Sequence, residues 1–164
     1  MYPKIETLPS KKLIGKRLKM SFLNDRTAEL WESFMPQRKD ILHKIGIDLY
    51  SMQIFESPPS FKTDVTFEKW AAVEVEKFGS VPDGMETFVL ESGLYAVFDY
   101  KGTPHEAQSF FQHIFGSWLP ESGHVPDHRP HFEILGTKYR NNDPESEEEI
   151  WIPVKPVKQN KLTP

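Results

Sequence analysis

The order strand, helix, strand, strand occurs twice in this chain at an offset of about 80 residues, and few sheets can be closed by a chain built that way. The first unit opens with KKLIGKRLKM over residues 11–20, where Leu13, Ile14, Leu18 and Met20 alternate imperfectly with lysines, as in a half-exposed strand. Asn24 or Asp25 then caps a helix whose apolar side is Ala28, Leu30, Trp31, Phe34, Ile41, Leu42 and Ile45, with a kink or break expected at Pro36 and an end at Gly46. DLYSMQIFE over residues 48–56 reads as a second strand ended by Pro58 and Pro59. A third strand follows in FEKWAAVEVEK, residues 67–77, before the turn residues Gly79, Pro82, Asp83 and Gly84.

The second unit repeats this order with clearer signals. Residues 86–101 are strand, broken near Gly93. The helix after them is the best-specified element of the chain. Thr103 and Glu106 form a capping box, Pro104 takes the first helical position, and Ala107, Phe110, Phe111, Ile114, Phe115, Trp118 and Leu119 make one stripe before Pro120. HFEIL and EIWIPVK supply the last two strands. Two such units joined edge to edge predict an α+β fold: an antiparallel sheet with both helices on one face and a ligand groove on the other, along a pseudo-twofold axis. The predicted organisation is a single domain over 1–164, with halves at about 1–80 and 84–158 and a tail at 159–164.

Composition narrows the function. The 164 residues are enough to bury a substantial core, and the absence of cysteine excludes disulfides, thiolate metal sites and cysteine nucleophiles. A formal charge of −4 opposes direct nucleic-acid binding, which needs a basic surface to displace phosphate counterions. No N-terminal apolar leader or apolar run of membrane-spanning length is present, so a cytoplasmic location and no membrane partner are expected. The acidic run Asp143, Glu145, Glu147, Glu148 and Glu149 reads as a solvated loop. His124, Asp127, His128 and His131 lie close together, but Pro126 and Pro130 interrupt them and no helical face presents them, so neither a metal nor a cofactor is expected.

The chemistry concentrates in the last two strands. Alternation puts Phe132 and Ile134 on one side of HFEIL with Glu133 opposite, and Ile150, Ile152 and Val154 on one side of EIWIPVK with Trp151 opposite. If the aliphatic sides share a core, Glu133 and Trp151 share the second face, where a carboxylate beside an indole suits a lipophilic cation. A solvated Glu and a packed Trp give the same pattern. Trp70 and Ala72 fall, to within the register, at the place in the first unit that Trp151 holds in the second, and Trp70 is expected to line the same groove from the other side. Phe110, Phe111, Phe115 and Trp118 read as core, with Phe115 or Trp118 flooring a deep groove.

These elements resemble the AraC-type effector-binding, or gyrase-inhibitor-like (GyrI-like), domain family over nearly the whole chain. The likeness rests on Pro130, Phe132 and Glu133, then Asp143, Pro144 and IWIPVK, with support from the GLYAVF strand and Gly102 and from Trp118–Gly123. The resemblance implies a groove for small hydrophobic, often cationic molecules, with Glu133 meeting the positive charge and Trp151, Trp70 and Phe115 as candidate contacts. It implies a sensor related to multidrug-responsive transcription regulators, here without a helix-turn-helix segment and therefore stand-alone. Two alternatives come with it: a hydrolase of strained, cyclopropane-type electrophiles with Glu133 as the catalytic group, and a protein-interaction module such as a gyrase inhibitor. No residue in the sequence calls for a protein partner.

Overall fold

The computed structural model describes residues 2–56 and 62–158. The strands are β1 (Lys4–Leu8), β2 (Lys11–Ser21), β3 (Leu49–Phe55), β4 (Thr66–Val75), β5 (Glu86–Leu90), β6 (Gly93–Lys101), β7 (His124–Pro126), β8 (His131–Leu135) and β9 (Glu147–Pro156). The helices are α1 (Thr27–Phe34), α2 (Pro104–His113) and the single turn α3 (Leu119–Glu121). Every strand pairing is antiparallel, and the order across the sheet is β1-β6-β9-β8-β3-β4-β2-β5, with β7 added on the end of β9. The α+β class, the antiparallel sheet and the two helical units on one face are as the sequence predicts.

The register makes the internal symmetry explicit. The interval between residue numbers is the same from Lys4 to Glu86, from Lys11 to Gly93 and from Leu49 to His131, the first residues of equivalent strands. That same interval separates Ser51 from Glu133, which are paired directly where β3 meets β8, so this pair lies on the pseudo-twofold axis. The outer strands are exchanged: β1 of the first half pairs with β6 of the second, and β5 of the second with β2 of the first. β1 carries no strand pattern in the sequence, because four of the five residues in KIETL are exposed and only Leu8 is buried.

Three apolar clusters hold the sheet. On one face α1 packs over Ile14, Met20, Phe67, Ala71 and Val73, and further along the same face α2 and the turns after it cover Ala96, Phe98, Ile150, Ile152 and Val154. The opposite face has a core of its own, containing Leu8, Leu13, Met52, Trp70, Leu90, Tyr95, Phe132 and Trp151.

The helices differ from expectation at their ends. Asp25 accepts from the backbone N–H of Thr27 at 2.9 Å, at the start of α1. The helix is shorter than the stripe implied. It tightens to a 3-10 turn over Met35–Asp40, with Pro36 in its first turn, because proline cannot donate to the preceding turn. Ile41 is buried in coil, while Leu42 and Ile45 are exposed. The predicted capping box of Thr103 and Glu106 is present in full. Pro120 does not itself end the second helical segment: α2 widens into a π-helical turn over Ile114–Trp118, and α3, which contains Pro120, ends one residue after the proline at Glu121. Pro58, Pro59 and the tail lie outside the described residues.

Candidate functional site

Directly paired residues of an antiparallel sheet point to the same face, so the ladder settles which side chains can meet. Ala71 pairs with Ser51, Ser51 with Glu133, and Glu133 with Ile150, a row that runs from the cluster under α1 to the cluster under α2. Glu133 therefore lies on the helix-bearing face, on the axis, between the two helical units. Its carboxylate accepts from the Gln53 amide at 3.0 Å. Burial raises the Glu133 pKa, and the charge of Lys69 and the hydrogen bond from Gln53 act the other way.

Trp151 is on the other face. It pairs with Phe132, the neighbour of Glu133 in the strand, and stacks on that ring at 5.2 Å with planes 17° apart. The expected cleft shared by acid and indole does not form, because β8 and β9 align one residue away from the register that would join them, and a one-residue slip exchanges faces. Trp70 belongs to the same opposite core. Each indole N–H is satisfied by a carboxylate two residues earlier in its own strand, Trp70 by Glu68 at 2.6 Å and Trp151 by Glu149 at 3.1 Å. The ladder makes Ala72 the equivalent of Trp151, since Tyr50 pairs with Ala72 and Phe132 with Trp151. The groove expected opposite the helices is accordingly filled by aromatic core, and the sheltered polar residues lie on the helix side.

Phe115 does reach the Glu133 face. Its ring stacks on His131 at 6.2 Å, and Phe55 meets the same imidazole edge-on at 5.2 Å. His131 precedes Glu133 by two residues and so shares its face. Burial, reinforced by Arg129 and His128, lowers the His131 pKa to about 4, so the ring is a neutral part of the wall at neutral pH. The other members of the histidine cluster are engaged separately: His124 Nδ1 lies 3.0 Å from the Ser122 carbonyl, Asp127 accepts from Arg129 at 2.7 Å, and His128 Nε2 lies 2.9 Å from the Phe55 carbonyl.

Gln53, Lys69 and Glu148 join this face without any local sequence signal of a site. Lys69 rises from β4 and donates to the Thr27 hydroxyl at the start of α1, 3.3 Å away. Glu148 is half-buried and sits two residues from Ile150 on the same face. The acidic run is therefore not wholly a solvated loop, since its last three residues enter β9. Burial pushes Glu148 up to about 8, the charge of Glu133 adds to this, and Lys69 opposes it. Glu148 also lines a cavity of about 400 Å³ at the end of β8, together with Ile134, Gly136, Thr137 and Asp48.

A sheet doubled about an axis, with an acid sheltered on that axis between two helical units, defines the architecture of a ligand-holding domain. The chain belongs to the GyrI-like small molecule binding domain family, which it matches over residues 1–155. No curated protein matches it. Among solved structures it is similar to SAV2435 bound to tetraphenylphosphonium, at 21% identity and a TM-score of 0.62 over 94% of each chain. It is also similar to the C-terminal domain of EcmrR, at 14% identity and a TM-score of 0.71 over 94% of this chain and 97% of that one. A hydrolase from Listeria innocua shares the fold at 13% identity and a TM-score of 0.61, over 94% and 93% of the two chains. EcmrR also has a structure in complex with DNA. No helix among the described residues is long and apolar enough to cross a membrane.

Proposed function

We propose that this domain binds a small hydrophobic cation on the helix-bearing face, between α1 and the segment that follows α2, with Glu133 supplying the counter-charge and Phe115, Phe55 and His131 the aromatic wall. The observation that carries the reading is the position of Glu133. It is sheltered, on the axis, held by the neutral Gln53 amide, and flanked by rings on its own face. A carboxylate desolvated in this way gains more from an incoming cation than one in water, and aromatic faces add attraction for the same charge. The likeness to SAV2435, whose structure holds tetraphenylphosphonium, supports a lipophilic cation as the first probe. Trp70 and Trp151 support the site from behind the sheet in this reading rather than touching the ligand.

The test compares the native chain with Glu133→Gln. The variant should bind tetraphenylphosphonium more weakly by roughly 1–3 kcal/mol, about 5- to 150-fold, and a neutral molecule of similar shape almost as well as the native chain does. Equal losses for the charged and neutral ligands would overturn the assignment of the counter-charge to Glu133.

A further inference from the structure

The twofold relation exposes a charge asymmetry at the site. Ala72 and Trp151 are equivalents by register, so Lys69 and Glu148, each three residues earlier in its strand, are equivalents as well. The two flanking places thus carry opposite charges, with Glu133 between them. Among the described residues neither Lys69 nor Glu148 takes part in an ion pair. Glu148 is a diagonal neighbour of Glu133 across the β8–β9 ladder, a relation that puts residues about 7–8 Å apart and within reach of long side chains.

The groups facing Glu148 are Glu133 from β8, Lys69 from β4, Tyr100 directly opposite on β6, and Tyr139 from the turn after β8. The cavity at the end of β8 also contains Asp48, Asp99, Glu147 and Glu149, with Lys138 as the cation there, but Asp99, Glu147 and Glu149 lie on the opposite face with Trp151. Two neighbouring carboxyls withdrawn from water and facing phenols do not both ionise readily, and one proton is retained between them. The raised pKa values of both residues agree with that geometry.

We propose that Glu148 is the second carboxyl of the ligand site, and that a monocation binds by displacing a proton shared between Glu133 and Glu148. This rests on the reading of Glu133 as the counter-charge and extends it. One carboxylic O–H bond breaks, its electron pair stays on the carboxylate, and the proton passes to the buffer. The ligand is chemically unchanged. Two carboxylates then face Lys69 and the ligand's single positive charge, so the four charges balance. The fitting ligand class is a permanently charged or strongly basic hydrophobic monocation, because a weak base can bring the displaced proton's charge with it and gains less from the exchange.

The experiment is titration calorimetry of the full chain with tetraphenylphosphonium chloride in two buffers of different ionisation enthalpy at pH 7. The expected result is release of close to one proton per bound cation. Affinity should rise by up to ~10-fold per pH unit below about 8 and level off above it. Glu148→Gln should lose both the proton release and the pH slope. At pH 9, above the value of about 8 for Glu148, it should bind about 5- to 50-fold more weakly than the native chain. Melting curves confirm that the variant is folded, and the proton count on the native chain needs no variant. Binding with no buffer dependence of the heat, or Glu148→Gln within twofold of native at pH 9, would overturn the proposal and leave the Glu133 reading standing. No binding by the native chain would sink both.

Discussion

Gly15 shows how tightly single positions are set by the sheet. A Cβ built there lies 2.1 Å from the Ala71 carbonyl oxygen and 2.7 Å from the Ala72 Cβ, and the strand is paired on both sides by β4 and β5. Backbone cannot yield as a flexible side chain can. Gly15→Ala should therefore cost about 1–3 kcal/mol in urea unfolding, a loss of overpacking type rather than of turn geometry. His131 makes a second prediction at this scale. Its pKa falls from 6.5 to about 4 on folding, so the unfolded chain binds the extra proton first. The sign follows: the contribution of the buried neutral ring is complete above pH 6.5 and is lost progressively as the pH falls from 6.5 toward 4. Denaturation midpoints measured across that window should drop, and the drop should be smaller in His131→Phe. An unchanged slope in the variant would assign the effect to other groups.

Among the elements, α2 was the most legible because its signals are local. The cap, the proline and the stripe lie within one short stretch, and in the structure Thr103 accepts from the Glu106 N–H at 3.4 Å while Glu106 accepts from the Thr103 N–H at 3.3 Å. Thr103→Ala removes the side-chain half of that exchange and should lower stability by about 1 kcal/mol, with Thr103→Ser restoring most of it, as read from thermal midpoints. The elements that escaped the sequence reading depend on distant partners. KIETL becomes a strand because β6 offers it an edge, and HVP becomes one because the end of β9 does. The site shows the same division. Alternation along β8 correctly separates Glu133 from Phe132, but the face of Trp151 depends on the β8–β9 register, which the strand pattern alone does not carry. Glu148 was hidden for a related reason, since a run of acids looks solvated until the ladder shows that its end has entered the sheet.

At the scale of the whole molecule, the repeated order of elements was visible in the sequence, whereas the exchange of outer strands was not, and the exchange is what joins the halves energetically. Leu8 at the end of β1 and Leu90 at the end of β5 are equivalents, each at most 1% exposed, and both enter the core opposite the helices. Each is carried by a strand paired with the other half, so neither half can complete its sheet alone. The axis that carries Glu133 lies at the β3–β8 seam between the halves, and anything that loosens the seam disturbs the site directly. Leu8→Ala and Leu90→Ala should each cost about 2–5 kcal/mol, the usual range for emptying a leucine from a packed core. Their effect should be global. In variants retaining only Trp70, on the first-half sheet, or only Trp118, beside α2, fluorescence should report one coincident urea transition, and Leu8→Ala should move both signals by the same amount. If the Trp70 transition shifted while the Trp118 transition stayed in place, the halves would be unfolding independently, and the exchanged strands would not be the coupling that the topology makes them.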